Sequence, residues 1–183
     1  MRINPLAGKP ATPAMLVNVP RPVTVLIDML ANTDGMLRQK AREALVKGGK
    51  RAVPALVRAL HSAQPDQVRW EAAKALLEIG DARSIPVLVE TLEDCEAGVA
   101  WLAAEALHAF RQVAWAPLLR ALVQRGTESS TLRQGAHHVL HNQDGGACSD
   151  LLAALLLALE SNTVPEATAV AARNFLKRVE DET

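Results

Sequence analysis

The sequence predicts an all-α protein: a right-handed α-α superhelix of about four helix pairs, with a half-repeat at the N-terminal end and a capping helix at the C-terminal end. Three observations lead there. Hydrophobic residues make up 49% of the 183, yet aromatics only 3% and Tyr none. The core must therefore be built from Leu, Ala and Val, and Ala and Leu are strong helix formers. An apolar motif returns along the chain at a nearly fixed interval, the signature of stacked repeats. The ten prolines fall either in the first 22 residues or where helices are expected to start, and none interrupts a periodic segment.

The motif reads Arg38-x-x-Ala41-x-x-Ala44-Leu45 and returns 31 residues later as Arg69, Ala72, Ala75 and Leu76. A third copy, Ala103, Ala106 and Leu107, follows after another 31, and a looser one at Arg133, Ala136, Val139 and Leu140 after 33. Positions i, i+3, i+6 and i+7 lie near one face of a helix, so each copy predicts an apolar stripe in which small Ala side chains let a neighbour approach closely. Each stripe is followed by a second apolar segment, opened by Pro54, Pro86, Pro117 or, in the fourth copy, Asp150. Proline suits a first helical turn because its missing N–H would be orphaned there. Glycines between the two helices, as in Gly48-Gly49 and Gly80-Asp81, can take the positive φ that ends a helix. Neither helix of a pair can hide its stripe alone, so the pairs must stack.

Taken in order, residues 1–20 are expected to form an extended or flexible arm, since Pro and small residues dominate and no period is visible. Residues 22–31 read as an unpaired second helix, the half-repeat. Repeats follow at about 34–62, 65–94, 97–125 and 128–160, together making one solenoid over 21–180. The cap helix, 164–179, begins with Thr163 and Glu166 at the spacing of a capping box.

The stretch Val68-Arg69-Trp70-Glu71-Ala72-Ala73-Lys74-Ala75-Leu76-Leu77-Glu78-Ile79-Gly80-Asp81, followed by Ile85-Pro86-Val87-Leu88, resembles the short HEAT-like repeats first named for phycobilisome lyases. The resemblance is closest over residues 36–94, continues through 97–125 and thins over 128–160. Ala100 stands where the repeat expects Arg, and the fourth copy lacks the Gly-Asp turn and the Pro.

The chain carries no formal net charge, which argues against a dedicated polyanion binder. The charge is nonetheless uneven: residues 1–92 hold 13 Lys and Arg against 8 Asp and Glu, and the remainder 7 against 12. Cys95 and Cys148 are far apart and lack metal-ligand spacing, so they read as thiols in a reducing compartment. No secretory signal is visible, because the apolar stretch Met15 to Val19 is short and flanked by prolines. The expected location is cytoplasmic, with no membrane contact.

Several groups are candidates for function. His137, His138 and His141 share one expected helix, and the 33-residue offset puts His108 beside His141. Paired His at i, i+4 can ligate metal, but there is no HExxH and no His-Glu motif of the kind iron hydroxylases built on HEAT-like repeats use, so no metal and no cofactor are expected. Trp70 and Trp101 are 31 apart and predict a possible aromatic ridge along the first helices, usable for stacking a base or anchoring a peptide; packing between repeats is the simpler use. The first repeat is basic, with Arg38, Lys40, Arg42, Lys47, Lys50, Arg51 and Arg58, which leaves a nucleic-acid contact open. The run Leu151 to Leu159 is apolar on every face and too short to span a bilayer; the C-terminal helix is its expected cover, with a homodimer contact as the alternative. In HEAT-like solenoids second helices line the concave side, so the resemblance implies that Arg58, Glu90 and Arg120 line a groove.

No catalytic constellation stands out, and solenoids offer long binding surfaces. The expected function is therefore a non-catalytic scaffold or adaptor holding a protein partner on the concave face. The resemblance implies two alternatives, a bilin lyase or chromophore-protein chaperone and a DNA-binding or DNA-repair protein.

Overall fold

The computed structural model describes residues 22–61, 64–160 and 164–181; the expected N-terminal arm and the Thr163 half of the capping box lie outside them. Among the described residues every regular element is a helix. A row of first helices comprises α2 (Gly35–Gly48), α4 (Asp66–Ile79), α6 (Ala97–Phe110) and α8 (Ser130–Leu140). A row of second helices comprises α1 (Val23–Met29), α3 (Val53–Leu60), α5 (Ile85–Thr91) and α7 (Trp115–Arg125). The chain closes with α9 (Ser149–Glu160) and α10 (Pro165–Asp181). Each first helix packs on the next, α2 on α4, α4 on α6 and α6 on α8, and each second helix on the first helix that follows it and on the next second helix. This is an α-α solenoid.

Local chemistry starts and stops the helices. Asp34 accepts the Met36 N–H at 2.8 Å, and the Ser129 hydroxyl accepts the Leu132 N–H at 3.1 Å, satisfying donors left over at a first turn. Short 3₁₀ turns join first to second helices. Positive φ recurs at Gly49, Gly80, Arg111 and Asn142, four sites each 31 apart, with a fifth at Gly146 outside that spacing. Glycine fits the first two, while Arg111 at φ 52° holds a conformation that L-residues resist.

The stripes face inward. Ala72, Ala75, Leu76, Ala103, Leu107 and Ala136 are all fully buried. The first copy differs: Ala41 and Leu45 are buried but Ala44 is exposed. The expectation for Ala44 fails because, among the described residues, no first helix precedes α2 to cover that flank.

The fourth repeat explains its own irregular spacing. Its left-handed turn keeps the 31-residue step, but α7 has 11 residues where α5 has 7, and α8 has 11 where α6 has 14. The motif therefore slips by two residues while the turn does not.

The C-terminal end also departs from the simple pattern. The helix that packs most extensively on α7 is α10, which also lies against α9. Trp115 meets Phe175 edge-on at 5.1 Å between ring centres, both buried. Cover for the Leu151–Leu159 run is thus partial. Leu152, Leu155 and Leu159 are buried, but Leu157 is 67% exposed because α10 lies against α7 as well and covers one flank of α9. No helix among the described residues is long and apolar enough to cross a membrane.

Candidate functional site

The arginine that opens the motif has one structural task in three of the four repeats. Arg38 donates to the Asn32 carbonyl at 2.7 Å, Arg69 to the Gln64 carbonyl at 2.6 Å and Arg133 to the Gly126 carbonyl at 2.7 Å. Each guanidinium ties the first helix to the loop that enters it, satisfying carbonyls that would otherwise lack a donor. Arg69 does more, gripping Asp94 of the next loop through two bonds of 2.8 Å while buried. That paired geometry stabilises its charge and raises its pKa further. Burial opposes the charge of Asp94, but hydrogen bonds from Arg69 and from the Glu96 N–H outweigh it and hold the carboxyl below its ordinary range.

The third repeat has Ala100 in place of this arginine, and the surface opens there. A cleft of about 330 Å³ runs between α6 and α8. Ala97, Ala100, Trp101 and Ala104 form one wall, Thr131, Gln134, Gly135 and His138 the other, and Leu92, Asp94 and Cys95 reach it from the preceding loop. Gly135 permits the close approach of α8 to Leu92, since a Cβ there would lie 2.9 Å from Leu92 Cδ2. The Sγ of Cys95, an exposed residue, is 3.7 Å from Arg69 Nη2.

Trp70 and Trp101 hold the same repeat position but meet different neighbours. The Trp70 ring lies against Gly98, where an added Cβ would be 3.5 Å from Cδ1, and Lys74 Nζ sits 4.9 Å from its centre. The residue matching Gly98 in the next repeat, by the 33-residue offset, is Thr131. Trp101 faces His138 instead, at 6.4 Å between ring centres, and is 55% exposed.

The histidines gather beside this cleft. His108, His137, His138, His141 and Glu105 line a neighbouring hollow. His138 Nε2 is 2.6 Å from Glu105 Oε1, and His137 Nε2 is 3.4 Å from Glu160 Oε1. The carboxylates come from α6 and α9, other helices than the one bearing the histidines, so no local sequence motif announces them. Gln143 donates to the His108 carbonyl at 2.9 Å. Among the described residues no group of three or more His, Cys, Asp or Glu side chains is placed to hold a metal ion.

On the second-helix side, Arg58 and Glu90 are exposed on α3 and α5, and Glu90 edges a shallow hollow with His61, Thr91 and Glu93. Arg120 is engaged from α10, with its Nη2 2.7 Å from Glu180 Oε1. Part of the basic first repeat is also spoken for: Arg42 pairs with Glu71 and Glu78, and Arg38 with Glu71. Lys50 and Arg51 edge an open hollow with Asp81 and Arg83. The cleft itself is absent from the sequence-level candidates, although Ala100 is visible there as a departure. What the motif could not show is that no other side chain fills the vacated space.

Comparison with known proteins agrees with this architecture. A family model for HEAT repeats matches residues 23–108. No curated protein matches the chain. Among solved structures, the crystal structure of an engineered protein from a structural genomics consortium shares 23% identity, with a TM-score of 0.44 over 87% of this chain and 79% of that one. The row of paired helices is an α-α solenoid, and residues 23–108 within it are similar to HEAT repeats.

Proposed function

We propose that the chain is a non-catalytic interaction scaffold that holds a protein partner. The observation that carries this reading is Trp101, a large aromatic side chain left 55% exposed over a cleft whose α6 wall is otherwise Ala97, Ala100 and Ala104. Exposed aromatics beside preformed apolar hollows are where interface energy concentrates. The cleft's 330 Å³ suits a few amino-acid side chains. Arg58 and Glu90 on the second-helix side offer a second, separate contact surface, with Arg120 held by α10.

The test compares affinity capture on immobilised wild type, Trp101→Ala and the double variant Arg58→Glu with Glu90→Arg, followed by quantitative mass spectrometry. Proteins enriched on the wild type should fall about tenfold on at least one variant, as expected for loss of an interface anchor. An enriched set that neither variant changes would remove both surfaces as binding faces.

A further inference from the structure

Resting on the scaffold reading, we propose that the cleft between α6 and α8 is a peptide site that takes one apolar side chain of a partner segment carrying Lys or Arg beside it. Repeat-to-repeat comparison is the first support. In three repeats a guanidinium bonds the entering loop at the position Ala100 occupies, and the indole of the second repeat lies down on Gly98. The third repeat has neither arrangement. Its missing guanidinium and standing indole leave a hollow free of Lys and Arg, whereas the hollow of about 320 Å³ beside Trp70 is edged by Arg38, Asp66, Glu71 and Glu96.

The walls are already rigid. Leu102, Ala103, Ala104 and Leu132, from the same two helices, are buried, so little ordering cost attends entry of a side chain. The polar groups select the flank of the ligand. Asp94 lines one part of the cleft, and Glu105 reaches His138 at another. No Lys or Arg lines it. A cation beside the apolar anchor would find Glu105 within reach and the Trp101 face available for a cation–π contact. An acidic flank would meet the Glu105 carboxylate, while Asp94 is already paired with Arg69. On the α8 wall, Thr131 and Gln134 offer hydrogen bonds to the backbone of an inserted segment.

The test uses the full chain. A random dodecapeptide phage library is panned on the immobilised protein, and enriched peptides are synthesised and titrated. Cys95 lines the cleft and is exposed while Cys148 is buried, so the rate of Cys95 reaction with a thiol reagent reports occupancy. Enriched peptides should carry an aliphatic or aromatic residue with Lys or Arg within a few positions, and should slow Cys95 modification. Ala100→Arg restores the residue used by the other repeats and places a bulky cation on the cleft wall. It should weaken binding about tenfold or more, as should Trp101→Ala, and Glu105→Gln should cost a few-fold. Circular dichroism checks that each variant is folded.

Several results would overturn the proposal: no enrichment, an acidic or uncharged consensus, binding indifferent to Ala100→Arg, or Cys95 shielded only by self-association at high protein concentration. Peptides lost on Arg58→Glu with Glu90→Arg but kept on Ala100→Arg would overturn it too, while leaving the scaffold reading intact.

Discussion

Arg69 and Ala100 hold the same position in consecutive repeats and have opposite effects on the surface. Arg69 closes the space between α4 and α6 by joining Gln64, Asp66 and Asp94. Replacing it with Met would leave the Asp94 carboxylate without its guanidinium. Breaking a buried pair from one side costs about 3–5 kcal/mol, and urea denaturation should show a loss of roughly that size. The acid behaviour follows from the depressed carboxyls. Asp81 is held at about 2 by hydrogen bonds from the Arg83 side chain and backbone, and Asp94 is lowered in the same direction. Each adds stability that is complete above the unfolded carboxylate value of about 3.9 and lost as pH falls through its folded value. Stability should therefore decline from about pH 4 downward, and Asp94→Asn should flatten part of that decline in a urea-midpoint series against pH. Arg111 offers the reverse case. Its φ of 52° is one that glycine adopts freely, so Arg111→Gly should raise stability by about 0.5–1 kcal/mol, read as a higher urea midpoint.

Among the elements, α10 departs most from a simple repeat. Sequence alone made it a cap over the end of the solenoid. In the structure it lies on α7 and α9, held by Phe175 on Trp115, by the ion pair of Arg120 with Glu180 and by the Thr168 hydroxyl on the Ala158 carbonyl. The ion pair is exposed and contributes little; the ring contact is buried and carries the attachment. Phe175→Ala should cost about 3–5 kcal/mol. Hydrogen exchange should show α10 losing protection first while α4 and α6 keep theirs, and uniform loss along the chain would contradict that assignment. The helix was legible from its amphipathic period, and so was its contact with α9; its larger contact with α7 was not. An apolar stripe records that a face must be buried, and leaves open which of two apolar neighbours buries it.

Across the whole molecule, stacked pairs contact mainly their neighbours, so stability is close to a sum of repeat and interface terms. The middle of the row is covered from both sides: α4 and α6 bury most of their apolar residues, whereas α1 buries only Leu26. Hydrogen exchange on the wild type should accordingly run from slow in the centre to fast at α1 and α10. The sequence by itself determined the helical class, the 31-residue repeat and the inward stripe, because a period of 3.6 and the placement of proline and glycine are local properties of the chain. Only the tertiary structure decided that Ala100 opens a cleft, that Trp70 lies flat while Trp101 stands out, that Glu105 and Glu160 reach the histidines, and that α10 secures Arg120. Each of these depends on which side chain from a distant helix fills or leaves a given space, and that is fixed by packing between repeats.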